Sequence, residues 1–95
     1  MEKDNELSVI VAGSAGSGKS AMILQIEKLL KENGFDVELS FEGNPDYSGN
    51  NTVYFHEREE RNFDEKIEAI KKRTKIILKE MQTRHASVNR LQPQG

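Results

Sequence analysis

Apolar and polar positions change their period along the first part of the chain, and each period predicts a different element. Leu7 to Ala12 is an almost uninterrupted apolar run rich in β-favouring residues, which is typical of a strand covered on both faces. From Lys19 onward, the apolar residues recur at the spacing of an amphipathic helix. These residues are Met22, Ile23, Ile26, Leu29 and Leu30. Asn33-Gly34 then supplies a helix stop, so we predict a strand followed by a helix over residues 18–33.

Residues 35–42 alternate strictly between apolar and acidic or hydroxyl side chains, which predicts a second strand with one wet face. The apolar members are Phe35, Val37, Leu39 and Phe41. A strand of this kind is more typical of a sheet edge than of its centre. Residues 43–62 follow as an irregular, turn-rich segment, in which we expect residues 52–55 to form a short extended piece and residues 56–61 a mixed charge run.

A second helix is predicted over residues 63–73, where Phe63, Ile67 and Ile70 stand at helical spacing and Asn62 with Glu65 resembles a capping box. Residues 74–81 fit either a continuation of this helix or a third strand, because Ile76, Ile77 and Leu78 favour β-structure. We prefer the strand, which would complete a β-α-β-α-β unit.

The predicted fold class is therefore α/β, a small parallel sheet covered by helices on one face or on both. One domain is expected over residues 1–85, followed by a disordered polar tail over residues 86–95. A chain of 95 residues has room for one small domain with a thin core.

Composition excludes several classes of protein. The absence of cysteine excludes disulfides, a thiolate zinc site and a cysteine nucleophile. The net charge of −2 disfavours nucleic acid as a partner, although Lys71, Lys72, Arg73 and Lys75 form a local basic cluster. The first apolar run is too short to span a membrane and does not resemble a signal peptide. We therefore expect a cytoplasmic location and no membrane partner.

The motif with the clearest chemistry lies between the first strand and the first helix. Its sequence, G-S-A-G-S-G-K-S, matches the phosphate-binding pattern G-x-x-x-x-G-K-[ST] at every fixed position. Glycines let the backbone wrap a phosphate at positive φ, and successive N–H groups make an anion site at the helix N-terminus. The predicted binding residues are Gly13, Ser14, Ala15, Gly16, Ser17, Gly18, Lys19 and Ser20.

Two side chains of this loop have specific predicted roles. Lys19 should reach the β- and γ-phosphates as a point charge, and this makes it the first candidate catalytic residue. Ser20 should offer its hydroxyl to Mg²⁺, which usually takes only one or two protein ligands. Two alternatives stay open: a Gly/Ser-rich turn with a solvated lysine, and phosphate binding without turnover.

Residues 7–34 resemble the first strand, phosphate loop and helix of P-loop NTPases, and within them the loops of small P-loop kinases. The short chain also resembles small phage-encoded ATP-binding proteins. The resemblance implies ATP or another nucleoside triphosphate with Mg²⁺ as ligand, and NTPase or phosphotransferase activity. The short length leaves open a non-catalytic module whose binding to other proteins depends on nucleotide. An open sheet edge would also favour self-association or a protein partner.

A P-loop enzyme also needs a second acid to orient Mg²⁺ or water. Glu42, at the end of the alternating segment, and Glu80, after an apolar run, are candidates. Asp46 is a third, because it lies where small P-loop kinases often place acids that face the substrate. The alternative for each is ordinary solvated surface. Arg58 and Arg61 could form a lid over a nucleotide, or belong to a solvated charged face.

Overall fold

A computed structural model describes residues 5–82, and in this range the chain is all-α. The helices are α1 (Lys19–Glu32), a short 3-10 helix (Pro45–Tyr47), α2 (Thr52–Glu60) and α3 (Phe63–Arg73). No strand is present among residues 5–82. The predicted α/β fold with a parallel sheet is therefore wrong. The tail predicted over residues 86–95 lies outside the described range.

Two of the predicted strands lack the partners that a strand requires. Leu7 is 95% exposed and Ile10 is 82% exposed, so the first apolar run lies on the surface. Ile77 and Leu78 are likewise exposed. An apolar, β-branched run shows that a segment is able to enter a sheet, but a strand also needs the N–H and C=O groups of a neighbour. Residues 74–81 do not continue α3 either, because that helix ends at Arg73.

The second predicted strand, residues 35–42, keeps its alternation without pairing to another strand. Leu39 and Phe41 pack against the core, whereas Glu38 and Ser40 are exposed. Its backbone is held by the side chain of Asn50, which accepts from Phe41 N–H at 2.8 Å and donates to Leu39 O at 3.1 Å. The amide of one asparagine thus replaces two hydrogen bonds that a neighbouring strand would have made.

The predictions for α1 and α3 are confirmed, whereas α2 was missed. Asn51 is the N-cap of α2, and its side chain accepts a hydrogen bond from Tyr54 N–H, which satisfies a helix donor that would otherwise have no partner. Phe55 and Glu59, one turn apart on α2, are both buried. The capping box predicted at Asn62 is wrong, because this residue is left-handed (φ 53°) and its side chain makes no cap.

A small core holds α1, the 3-10 helix and α2 together. Leu24, Tyr47 and Phe55 are at most 1% exposed and contact one another. The ring of Phe41 packs on it, with its centroid 5.0 Å from that of Tyr47 and 4.7 Å from that of Phe55. Because Leu24 lies one turn after Ser20 on α1, this core lies next to the start of the helix. None of the helices within residues 5–82 is long and apolar enough to cross a membrane.

Candidate functional site

The loop before α1 has the bent backbone that its glycines allow. Gly16 has φ +83° and Gly18 has φ +99°, values that residues with a Cβ rarely adopt. Ser17 N–H donates to Ser14 O at 3.2 Å, which closes a tight turn at the tip of the loop. Gly18 is the N-cap of α1, which begins at Lys19. The loop therefore delivers the chain directly into the first turn of a helix.

The N-terminus of α1 is free of the groups that usually neutralise a helix start. No side chain caps it, and no acidic residue lies in its first turn. The first N–H groups of a helix have no carbonyl partner within the helix, and the helix dipole makes this end positive. Such a terminus is suited to an anion supplied from outside the helix.

Lys19 spans the mouth of this loop. Its Nζ donates to Gly13 O at 2.9 Å and to Ser14 O at 3.0 Å. An ammonium group has three N–H donors, so two hold the start of the loop and one remains for an incoming oxygen. The positive charge is thus fixed beside the uncapped helix terminus.

The far side of the loop is supported by the end of α3. Ile70 packs so closely under Gly18 that a Cβ there would lie 2.6 Å from Ile70 Cδ1. Thr74 Oγ1 donates to Ser17 O at 3.2 Å, and Arg73 Nη2 donates to Gly16 O at 3.4 Å. The sequence analysis missed these supports, since no local pattern reports a contact across 57 residues.

Ser20 lies half-buried in the first turn of α1, and Leu24, one turn later, packs with Tyr47 in the core. Tyr47 Oη donates to Glu59 Oε2 at 2.6 Å, and both residues are buried. Burial first, and then the hydrogen bond to Glu59, raises the pKa of Tyr47 to about 12. Tyr47 and Glu59 thus form a buried, hydrogen-bonded pair.

The sequence analysis did not single out Glu59, because it reads there as one more acid in a mixed charge run. The only local signal that could have identified Glu59 is its position four residues after Phe55, which places both side chains on the same face of a helix. Lys66 Nζ lies 3.4 Å from Glu59 Oε1, and Arg58 Nε lies 4.0 Å from Glu59 Oε2. The buried carboxylate thus has a cation on either side.

The three predicted acids have different surroundings. Asp46 is brought beside Tyr47, but its carboxylate pairs with Arg58 Nη1 at 3.7 Å. Glu42 and Glu80 are exposed, and Glu80 lies in the extended segment after α3. The two predicted lid arginines also differ. The guanidinium carbon of Arg58 lies 5.5 Å from the centroid of the Tyr47 ring. Arg61, at the C-terminal end of α2, instead donates from Nε to Glu57 O.

The residues present fit a triphosphate with Mg²⁺. The bent loop and the helix start offer backbone donors, Lys19 offers a cation, and Ser20 offers one oxygen ligand. Mg²⁺ commonly completes its shell with waters and phosphate oxygens, so one hydroxyl suffices. Residues 5–82 contain no group of three or more His, Asp or Glu side chains that would form a separate metal site.

Comparison with known proteins agrees with this geometry. The model of the family described as the KAP family P-loop domain matches residues 1–91, which include the whole loop. No curated protein and no solved structure is significantly similar to the chain. The family match supports nucleotide binding of the P-loop NTPase type. Since the match covers almost the whole chain, the chain belongs to the KAP family of P-loop domains.

Proposed function

We propose that residues 13–20 bind the triphosphate of a nucleoside triphosphate, in the simplest case ATP, together with Mg²⁺. One observation carries the proposal: the start of α1 has neither a cap nor an acid, and Lys19 Nζ lies across the loop that leads into it. An uncapped, positive helix end beside a fixed ammonium is an electrostatic arrangement for clustered phosphate oxygens.

Each part of the loop then has a role. The backbone N–H groups of the loop and of the first turn of α1 bind phosphate oxygens. Lys19 uses its third N–H on the β- and γ-phosphates while the other two keep the loop in shape. Ser20 supplies a hydroxyl oxygen to Mg²⁺, and the metal, when bound, neutralises charge on the phosphates.

Binding is the function that the geometry supports best, and turnover is the next step to test. Hydrolysis or transfer requires an acid that orients Mg²⁺, water or an acceptor. Among the predicted candidates, Asp46 is already paired with Arg58. NTPase activity, and phosphotransfer of the kind that small P-loop kinases perform, would both place one of Glu42, Asp46 or Glu80 in this role.

A second candidate function is a module whose binding to a protein partner or to another copy depends on nucleotide. The exposed apolar residues on both sides of the loop favour it. Leu7 and Ile10 precede the loop, and the segment that follows the Thr74 contact to Ser17 is also apolar and exposed. The exposed members of that segment are Ile76, Ile77, Leu78 and Met81. Nucleotide bound in the loop would affect this segment through the hydrogen bond from Thr74 to Ser17 O.

Calorimetric titration with ATP, GTP and ADP, with and without Mg²⁺, tests the proposal. We expect Lys19→Ala to weaken ATP binding by at least about tenfold, or ~1.4 kcal/mol, because it removes the cation and two supports of the loop. Lys71→Ala is the matched control, since it removes the same charge from an exposed side chain that contacts only Glu68 on its own helix. Equal affinities for the wild type and Lys19→Ala would contradict the proposed site.

Phosphate release then separates the two candidate functions. Turnover that Lys19→Ala abolishes supports an enzyme. Binding of a non-hydrolysable analogue without turnover, combined with capture of a partner only in its presence, supports the interaction module. A partner recovered equally with and without nucleotide would count against the module.

A further inference from the structure

The end of α3 contacts the glycine-rich loop through the carbonyl groups of the loop. Thr74 Oγ1 donates to Ser17 O at 3.2 Å, and Arg73 Nη2 donates to Gly16 O at 3.4 Å. These carbonyls belong to two successive peptide groups, the one between Gly16 and Ser17 and the one between Ser17 and Gly18. The end of α3 therefore acts on the same backbone that is proposed to bind phosphate.

A donor that holds a carbonyl also sets the direction of the N–H group that follows it. In a planar trans peptide, the C=O of one residue and the N–H of the next point to opposite sides. With Ser17 O directed at Thr74, Gly18 N–H points away from the end of α3. Within residues 5–82 this N–H has no acceptor, so it is available to an anion at the helix start.

The preceding peptide group is engaged at both ends. Gly16 O accepts from Arg73, and Ser17 N–H donates to Ser14 O at 3.2 Å. This group is therefore committed to the shape of the loop, whereas the next group keeps its N–H for a ligand. No carboxylate of the described residues pairs with Arg73, so its positive charge also stays beside the loop.

Thr74 is itself held in place. Its N–H donates to Ile70 O at 2.9 Å, and the Ile70 side chain is 5% exposed and packs under Gly18. One turn earlier on α3, Lys66 Nζ donates to Arg58 O at 3.0 Å and so ties the helix to α2. A group that is fixed before the ligand arrives loses little conformational entropy when the ligand binds.

We propose that Thr74 is a positioning residue for nucleotide, because its hydroxyl holds the Ser17–Gly18 peptide group with Gly18 N–H directed at a phosphate oxygen. Thr74 lies on the carbonyl side of the loop and acts through the backbone, without touching nucleotide. Arg73 supports the same loop through Gly16 O. The proposal rests on the proposed function, since it assigns the residue that shapes the same site.

The test is calorimetric titration of Mg²⁺-ATP and of inorganic triphosphate with Mg²⁺. Thr74→Val keeps the shape of the side chain and removes the hydroxyl, and we expect it to weaken both ligands by about fivefold, the effect of one lost hydrogen bond. Thr74→Ser keeps the hydroxyl and should restore most of the affinity. Thr52→Val is the matched control, because Thr52 begins α2 and, within the described range, makes no hydrogen bond to the loop; its affinities should equal those of the wild type.

The Gly18 amide resonance in proton–nitrogen NMR spectra separates positioning from a merely structural role. We expect Mg²⁺-ATP to shift this resonance in the wild type and in Thr74→Ser, and to shift it less in Thr74→Val. An unmoved Gly18 resonance in a wild type that binds ATP would overturn the inference. So would wild-type affinity in Thr74→Val, or a Thr74→Ser variant as weak as Thr74→Val.

Thermal unfolding checks that each variant folds. If Thr74→Val does not fold, the Gly18 resonance of the wild type and the affinity of Thr74→Ser decide the question. A wild-type chain that binds neither ATP nor inorganic triphosphate would overturn the proposed function itself.

Discussion

Gly16 and Gly18 share a left-handed backbone, but their surroundings differ. No atom would lie within 4 Å of a Cβ at Gly16, whereas a Cβ at Gly18 would meet Ile70. The motif predicted that glycine is needed at both positions, and the positive φ values give the reason. It did not predict that Gly18 also leaves room for a side chain of α3, because that contact depends on how a distant helix packs.

Replacement of each glycine by alanine should separate these two effects. Gly16→Ala should lower the free energy of unfolding by about 1–2 kcal/mol, the cost of a left-handed L-residue. Gly18→Ala should cost more, because the buried Ile70 side chain must also move. Urea unfolding of both variants measures the difference. Equal losses would show that Ile70 adjusts without cost and that the close packing under the loop has no energetic weight.

At the scale of elements, α1 and α2 are joined by a buried carboxylate. Glu27 on α1 is 5% exposed, and it contacts His56 Nε2 on α2 at 2.8 Å and Lys31 Nζ at 2.9 Å. Burial alone would raise the pKa of Glu27, but the hydrogen bonds from Lys31 and His56 outweigh it and the pKa lies below its ordinary value of 4.5. The ionised form is therefore favoured by folding.

The pH dependence of stability follows from this sign. A carboxyl whose pKa is lower in the folded state stabilises the fold fully above its unfolded pKa, and the contribution disappears as the pH falls through the folded value. We expect the free energy of unfolding to decrease as the pH is lowered below about 4.5. We expect Glu27→Gln to make this decrease smaller. Chemical unfolding at several pH values measures it, with the exposed Glu32→Gln as control. An identical acid profile for the wild type and Glu27→Gln would contradict the assignment.

The cap at Asn51 offers a second test at this scale. Asn51→Ala should cost about 1 kcal/mol, because Tyr54 N–H loses the side-chain oxygen that it donates to at 2.9 Å. Asn51→Ser keeps an acceptor and should retain most of the stability. Thermal unfolding monitored by circular dichroism compares the two. If serine and alanine destabilise equally, the cap is not what sets the start of α2.

The elements that could be predicted from the sequence are those with an amphipathic stripe. The apolar residues of α1 and α3 recur at helical spacing, and both helices were predicted nearly to their ends. Helix α2 was missed because one of its two buried residues is the acid Glu59, which a hydropathy pattern places on the surface. The Glu59 carboxylate can be buried because Tyr47 donates a hydrogen bond to it and Lys66 forms an ion pair with it.

For the whole molecule, the core is so small that a ligand should add measurably to stability. Only Leu24, Tyr47 and Phe55 form the central cluster within the described range, and Leu24 belongs to α1, the helix that follows the loop directly. A ligand that binds only the folded state stabilises it by about 2.7 kcal/mol at a concentration of 100 times Kd. We therefore expect Mg²⁺-ATP to raise the melting temperature by several degrees.

A thermal shift assay of the wild type and Lys19→Ala tests this expectation. The variant should show a much smaller rise at the same ligand concentration, because the phosphates lose their cation. Lys71→Ala should behave like the wild type. A rise of equal size in all three proteins would mean that nucleotide binds somewhere other than residues 13–20.

By itself, the sequence determined the bent glycine-rich loop, the helix that follows it and the last helix, because glycine conformation and helical periodicity are local properties. Only the tertiary structure decided that the apolar segments find no strand partner within residues 5–82, that the end of α3 supports the loop, and that Tyr47 and Glu59 form a buried pair. These features depend on hydrogen bonds and packing between residues far apart in the chain, and such contacts leave no trace in the spacing of neighbouring residues.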